Sequence, residues 1–418
     1  MAPCVAVLLP QSSYRADDLL AAARKLGVEV FVASDRCHVL AEQWTEGSLP
    51  LDFTDAEGAA RALADAVRGR EPRAVLGTDD QTAVIAAHAA RLLGLPQDPP
   101  EAVEGARNKR LSRERLRAAG VPVPRFHVLE LGGPVPDGLP FPCVVKPLVL
   151  SGSRGVIRAN GPEELRRALD RIARLLRSPQ VAVRRDAELS RVLIEEFLPG
   201  PEVALEGLLT RGELTVLALF DKPDPLDGPY FEETLYVTPS RHPALLQQAV
   251  GQAVAGAARA LGLGHGPIHA ELRLTPAGPR ILEVAARSIG GLCGRALRFG
   301  MGVTLEELLL LHALGRAPAL PRERAASGVL MLPIRRGGVL REVRGVDRAR
   351  AVPGVDDVVV TAHPDEELVP LPEGASYLGF AFARGETPEE VESALRRAGS
   401  FIEPVLDPKL RIETNPTA

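Results

Sequence analysis

The sequence predicts a mixed α/β and α+β protein: an N-terminal doubly wound parallel sheet, then a core of antiparallel strands and helices, then a small C-terminal α+β domain. Three observations carry this. The chain of 418 residues is too long for one ordinary core, which implies two to four subdomains. Over the first hundred residues strand-like runs alternate with helix-like ones, the pattern of parallel pairing through crossovers. Beyond them several strand-like runs follow one another with only short turns between, as antiparallel pairs do.

The elements follow in order. "CVAVLLP" reads as a buried strand, and "YRADDLLAAARKLGVEVFVAS" as an amphipathic helix, a stop at Gly27 and a second strand. "AEGAARALADAVRGREPRAVLGTDD" repeats the alternation, and "QTAVIAAHAARLLGLP" adds a helix ending at Gly94. No GxGxxG turn follows the first strand, so a dinucleotide site is not expected there. "PQDPPEAVEG" reads as a linker. "NKRLSRERLRAAGVPVPRFHVL" is a short helix and a Pro-punctuated strand, and "FPCVVKPLVLSGSRGVIRA" two strands joined by a glycine-serine turn. The helix "GPEELRRALDRIARLLRS" precedes a run of antiparallel strands, "RVLIEEFLPGPEVALEGLLTRGELTVLALFDKP". A helix, "PALLQQAVGQAVAGAARALGLG", then leads into paired strands, "GPIHAELRLTPAGPRILEVAAR". After a proline-rich break at Pro318 to Pro321, the tail holds several short strands and one late helix, "TPEEVESALRRAG".

Composition narrows the function classes. The apolar fraction of 45% and charged fraction of 25% suit a soluble globular protein. A net charge of −4 without basic blocks, and aromatics at only 4%, argue against nucleic acid as a partner. Cys4, Cys37, Cys143 and Cys293 are scattered without a CxxC pair, which indicates neither a disulfide framework nor a zinc site. "MAPCVAVLLPQ" lacks the positive start of a signal peptide, and no run reaches the ~18 apolar residues of a membrane span. A cytoplasmic protein is the expectation. Of the 50 basic residues only five are Lys: Lys25, Lys109, Lys146, Lys222 and Lys409. Lysine in so arginine-rich a chain marks candidate positions for a compact ammonium.

Three segments can carry chemistry. In "CVVKPLVLSGSRGV", Lys146 is followed by Ser151, Gly152, Ser153 and Gly155, whose backbone N–H groups can converge on an anion; a plain turn between strands is the alternative. In "LIEEFLPGPE", Glu195 and Glu196 end a strand, and the "PGP" crossing before Glu202 leaves backbone groups to read a flat heterocycle edge; solvated acids on a surface hairpin are the alternative. In the paired strands, period two puts His269, Glu271 and Arg273 on one face, and Glu283, Ala285 and Arg287 on one face of the partner. Facing carboxylates repel unless a cation lies between them, and oxygen-only ligands suit magnesium completed by nucleotide phosphates. Arg287 then supplies positive charge to a transferred phosphoryl group. The alternative pairs Glu271 with Arg273 and Glu283 with Arg287.

The ordered set (Lys109, Lys146, the glycine-serine turn, the "EEFLPGPE" crossing and the Glu271/Glu283 hairpin ending in Arg287) resembles the ATP-grasp superfamily, from the N-terminal sheet through at least Gly302. "E-x-A-A-R" followed by Gly290 and Gly291, and the tail "GVLMLPIRRGGVLREVRGVDRARAVPGVDDVVV", are similar to the L-amino-acid ligase branch, which joins amino acids into dipeptides. The resemblance implies an N-terminal domain over 1–106, an ATP-grasp domain of two α+β subdomains over 107–320 with a mobile lid at about 141–197, and a ligase-type C-terminal domain over 321–418. It implies that Lys109 and Lys146 hold the nucleotide, Ser151 to Gly155 form a flap over its phosphates, and Glu195, Glu196, Phe197 and Leu198 form the adenine hinge. Glu202 is then the ribose acid, Glu271 and Glu283 the ligands of Mg2+ (or Mn2+), and Arg287 the catalytic residue. Many relatives have Glu-x-Asn-x-Arg where this chain has Glu283, Ala285 and Arg287, which leaves one metal position short of an oxygen.

The implied activity is ATP-dependent carboxylate–amine ligation through an acyl phosphate, on amino-acid substrates, with a homodimer common in such ligases. A carboxylase or ribonucleotide-type ligase, or a non-catalytic nucleotide-binding protein, are the alternatives. "FDKPDPLDGPYFEETLYVTPSRHP" is too polar and proline-rich for core and reads as a substrate-facing loop. Its Tyr230, Glu232 and Glu233 can meet an amino group, with Lys222 nearer the phosphates. His269, Gly290 and Gly291 complete the substrate candidates, a larger side chain at Gly291 being expected to narrow the pocket.

Overall fold

The computed structural model describes residues 3–11, 13–35, 48–300, 302–318 and 320–408; Cys37 and Lys409 lie outside them. The first sheet has four parallel strands, in the spatial order Ser48–Pro50, Glu29–Ser34, Cys4–Leu8 and Pro72–Gly77. Helix Ala16–Leu26 covers one face with Leu19, Ala22 and Ala23. Helices Ala56–Val67 and Asp80–Leu93 cover the other. With both faces covered, the strand Cys4–Leu8 is buried throughout, as its unbroken apolar run requires. Gly27 and Gly94 end their helices at φ 64° and 68°, the left-handed cap that glycine adopts without penalty.

The segment "PQDPPEAVEG" is not a linker. Pro100–Arg107 is a helix with Pro100 in its first turn, where the missing N–H costs nothing, and Ala102, Val103 and Ala106 enter the core. Asn108 then caps helix Lys109–Ala118 by accepting from the backbone N–H groups of Arg110 and Leu111.

Four antiparallel strands form the next layer, in the order Phe126–Glu130, Arg191–Glu196, Cys143–Pro147 and Ile157–Ala159. Helix Pro162–Leu176 backs it with Leu165, Ala168, Ile172, Leu175 and Leu176, a 3.6-residue stripe.

The central sheet has eight antiparallel strands. In space they run Gly278–Ala285, Gly266–Thr275, Glu202–Thr210, Glu213–Lys222, Leu235–Thr238, Ala326–Leu332, Gly379–Gly385 and Val355–Val360. The stretch from Phe220 to Pro243 is therefore not one loop. Phe220 to Lys222 end a strand and Leu235–Thr238 is a buried strand of the sheet, its four residues hidden between neighbours despite the polar flanks. The last three strands of the sheet come from beyond the proline-rich break, so the C-terminal region extends the central sheet. Its remaining strands, Glu367–Leu368, Gly338–Arg344 and Glu403–Asp407, form a small sheet of their own. Helix Pro388–Gly399, closed by a Thr387/Glu390 capping box, packs Val391, Leu395 and Ala398 into the C-terminal core.

Candidate functional site

One cavity of about 300 Å3 opens where the three layers meet. Its wall includes Lys109, Lys146, Ser151, Gly152, Ser153, Glu195, Glu196, Phe197, Leu198 and Glu202. It also includes His269, Glu271, Glu283, Arg287, Gly290 and Gly291. Residues from distant parts of the sequence thus share one space.

At one end Lys146 projects from the strand Cys143–Pro147 and meets Glu195 at 2.7 Å. Glu195 is almost wholly buried and also pairs with Arg113, which bonds the Leu282 carbonyl of the hairpin. Burial works to raise the Glu195 carboxyl, but Arg113 and Lys146 outweigh it and hold the value at about 2. Its side chain is committed to positioning Lys146, so any hinge role falls to backbone. Glu196 points elsewhere, to Arg125 at 2.7 Å, and the Phe197 N–H donates to the Pro142 carbonyl. The Phe197 ring is covered by Arg158, with the guanidinium carbon 4.1 Å from its centroid. Lys109 donates to the Leu150 carbonyl at 2.8 Å and lies 3.7 Å from Glu283, so it ties the start of the flap to the hairpin.

The flap has left-handed backbone at Gly152, Ser153 and Gly155 (φ 65°, 54° and 75°). A Cβ at Gly155 would come within 2.7 Å of Pro147, so both conformation and space require glycine there. Gly155 does not line the cavity. Its N–H donates to the Pro372 carbonyl of the C-terminal region, 2.8 Å away.

In the hairpin, Glu271 stands directly opposite Glu283, as His269 does opposite Ala285. Neither glutamate pairs with its own arginine. Arg273 meets Glu202 at 3.1 Å and Arg287 turns away to Asp80, so the structural ion pairs anticipated within the hairpin do not form. Lys222, buried beneath the cavity wall, places its ammonium 2.7 Å from Glu202, 2.7 Å from Glu233 and 2.9 Å from Glu271. Carboxylate oxygens of these three acids lie within 4.8 Å of one another. Burial opposes charge on Lys222, yet the three acids raise its value well above normal. Burial and Glu271 push Glu233 up to about 7, while Lys222 and His269 overcome burial to hold Glu271 well below the carboxylate range. His269 lies 3.1 Å from Glu206 and 3.8 Å from Glu271, and these acids lift it to about 9 against the effect of burial. Glu206 is fully buried and also accepts the Ile289 N–H at 2.9 Å, which fixes the loop after the hairpin.

Arg287 forms a bidentate pair with Asp80 at 2.9 and 3.1 Å. Asp80 opens helix Asp80–Leu93, so the N-terminal sheet orients the arginine. Arg15, at the start of helix Ala16–Leu26, reaches to Ser288 at 2.6 Å and to Glu306 at 3.0 Å. A Cβ at Gly291 (φ 59°) would strike the Phe380 ring at 2.9 Å, whereas one at Gly290 would meet nothing within 4 Å. Glycine at 291 answers to backbone and Phe380, and the position open for a pocket-narrowing side chain is Gly290.

Three substrate candidates stand apart from this cavity. Tyr230 bonds Arg171 on the outer layer, and its backbone bridges Ile157. Glu232 lines a separate, water-sized recess with Ile334 and Val369. Lys222 lies under the wall, saturated by its three acids. The sequence reading missed Arg15, Tyr14, Asp80, Glu206, Arg113, Met331, Ala375 and Tyr377. For Arg113 and Glu206 a signal existed: a charge at a core-facing position of its element. For the others the approach is made by distant chain, and no local pattern announces it.

Comparisons with known proteins match the chain in three consecutive parts. Residues 20–97 match the ATP-grasp N-terminal domain, 139–296 the ATP-grasp domain, and 330–407 the L-amino acid ligase C-terminal domain 2. Carnosine synthase 1 of Gallus gallus is 31% identical over 359 residues, which covers 78% of this chain but 38% of that protein. An uncharacterized protein of Sinorhizobium fredii is 29% identical over 322 residues, 76% of this chain and 65% of its own length. The chain thus spans less than two thirds of either relative. Among solved structures, an L-amino acid ligase from Bacillus licheniformis superposes with a TM-score of 0.81 at 24% identity, over 97% of this chain and 99% of that one. An N5-carboxyaminoimidazole ribonucleotide synthetase from Thermotoga maritima gives 0.72 at 17%, over 97% and 100%. With its N-terminal sheet, nucleotide-site core and C-terminal extension each matched in order, the chain belongs to the ATP-grasp superfamily and carries the C-terminal domain of the L-amino acid ligases.

Proposed function

We propose that the protein is an ATP-dependent, ADP-forming carboxylate–amine ligase that makes a peptide bond between amino acids. The observation that carries the reading is the meeting, in one cavity, of Lys109, Lys146, the opposed Glu271/Glu283 pair and Arg287. Its similarity to carnosine synthase and to L-amino acid ligase supports the same reading.

In this reading Lys146, steadied by Glu195, and Lys109, steadied by the Leu150 carbonyl, neutralise the nucleotide phosphates under the flap. The four-stranded layer with strands Cys143–Pro147 and Arg191–Glu196 acts as the lid. The metal implied by the family fits the residues present. Glu271 and Glu283 offer hard oxygen donors from directly opposed positions, and Glu283 has its nearest cation, Lys109, beyond hydrogen-bond reach at 3.7 Å. Mg2+ (or Mn2+) held there would screen the phosphate charge; Ala285 offers no further ligand.

A substrate carboxylate oxygen attacks the γ-phosphorus as the bond to the ADP oxygen breaks, which gives an acyl phosphate. An amine then attacks the carbonyl carbon, and phosphate leaves from the tetrahedral intermediate. Arg287, aimed by Asp80, offers positive guanidinium charge where both steps accumulate negative charge on oxygen. The same reading takes ATP, a carboxylate and an amine as small-molecule partners of a cytoplasmic protein, with homodimerisation as in related ligases. The test is isotopic. With both carboxylate oxygens of the amino acids labelled with 18O, one label should pass to the released phosphate; unlabelled phosphate released together with peptide would contradict the acyl-phosphate route.

A further inference from the structure

The cavity wall is richer in tyrosine than the rest of the chain. The protein has only four tyrosines. Three of them, Tyr14, Tyr236 and Tyr377, line this cavity, one from the turn before helix Ala16–Leu26, one from the central sheet and one from the C-terminal region. The Tyr236 hydroxyl faces Glu271 at 3.4 Å and its ring lies under Lys222, whereas Tyr14 and Tyr377 have an aromatic neighbour. Tyr14 and Tyr377 pack against the buried ring of Phe380 at 5.5 and 5.7 Å between centroids. Met331 lies opposite Phe380 in the strand register and also lines the cavity. A Cβ at Gly291 would lie 2.9 Å from Phe380 and 3.8 Å from the Cys293 sulfur, so these groups surround one compartment beside the Gly290–Gly291 turn.

The charges at its border are already satisfied. Arg15 is bound by Glu306 and Ser288, and Glu233 by Lys222. A charged side chain entering here would lose water without gaining a partner, whereas an apolar or aromatic one would meet ring faces and sulfur. The Gly290–Gly291 turn also lies three to four residues past Arg287, where the reacting carboxylate is placed in the proposed function.

We propose that this compartment, closed on one side by Met331, Ala375 and Tyr377 of the C-terminal region, selects an acyl donor with an apolar or aromatic side chain, an amino acid of the leucine, methionine or phenylalanine class. The inference rests on the ligase reading for the reaction, but not for the binding. The side formed by Met331, Ala375 and Tyr377 would be absent from a core that ended before the C-terminal strands, so the C-terminal region acts as a specificity element.

The experiment offers Mg-ATP with amino acids in all pairs, identifies dipeptides by tandem mass spectrometry, and measures binding of free phenylalanine, leucine, aspartate and lysine by calorimetry. The expected result is an apolar residue at the N-terminal position of the product, favoured over aspartate, lysine or glycine by about ten-fold or more. Tyr377→Ala should erase that preference through KM for the donor with KM for ATP kept, and Tyr377→Phe, which retains the ring, should restore it. Should Tyr377→Ala fail to fold, Gly290→Val, whose side chain has room, serves instead and should exclude phenylalanine before leucine. Dipeptides with a charged or glycine donor, or with the apolar residue always C-terminal, would overturn the pocket assignment and leave the ligase reading standing. Binding of phenylalanine or leucine without any product would support the pocket and overturn the ligase reading. Neither binding nor product would overturn both.

Discussion

Glu283 and Glu271 face each other across the hairpin, yet they differ in what holds them. Glu271 belongs to the buried cluster around Lys222, while Glu283 is one-third exposed with Lys109 at 3.7 Å. Glu283→Gln should therefore cut ligase turnover by about 10²-fold or more while barely moving Tm, since it removes an anionic oxygen donor for the divalent cation and no packed contact. Glu271→Gln should lower both, because Lys222 loses one of its three counter-charges in a buried setting. Equal losses of Tm with turnover kept in Glu283→Gln would return that residue to a structural role. Glu195 gives a pH dependence. Its folded value of about 2 lies below the ordinary 4.5, so its stabilising contribution is complete above 4.5 and disappears as pH falls from there towards 2. Urea unfolding at pH 5 and pH 3 should show that loss in the parent protein, and Glu195→Gln should flatten the difference.

Among the elements, the flap and the loop from Pro370 to Tyr377 act on each other. Glu373 forms a two-contact pair with Arg171 of helix Pro162–Leu176 at 2.5 and 2.8 Å, and its carbonyl accepts from Arg154 of the glycine-serine turn at 2.7 Å. The Glu373–Arg171 pair is more than a third exposed on both sides, so it contributes at most about 1 kcal/mol to stability. Glu373→Ala should thus leave Tm nearly unchanged but loosen the lid, which KM for ATP reports as a several-fold rise; an unchanged KM would mean the pair does not govern the lid. The elements themselves were largely legible. Period-two alternation placed Glu271 and Glu283 on facing strands, and glycine stops at Gly27 and Gly94 ended two helices. Pro100–Arg107 was hidden because its prolines and acids look like a linker, and only its packed alanines, a tertiary fact, make it a helix. Leu235–Thr238 was hidden because four residues are too few to show a period amid polar neighbours.

For the whole molecule, the central sheet explains both what the sequence reading found and what it missed. Residues that act through their own strand, such as Lys146 or Glu283, carry a local signature. Residues delivered by another layer, such as Asp80 to Arg287, Arg15 to Ser288 or Tyr377 to the cavity, carry none, because the sheet brings together segments up to about 360 positions apart only after folding. Three C-terminal strands joined to the same sheet make the C-terminal region part of the site's wall.

The most direct measurement of the central claim is phosphate release from Mg-ATP with amino acids offered singly and in pairs. The account predicts release that requires a pair, one equivalent each of ADP and dipeptide accompanying each phosphate. Tight ATP binding with no release under any mixture would contradict it and leave a nucleotide-binding protein without ligase activity.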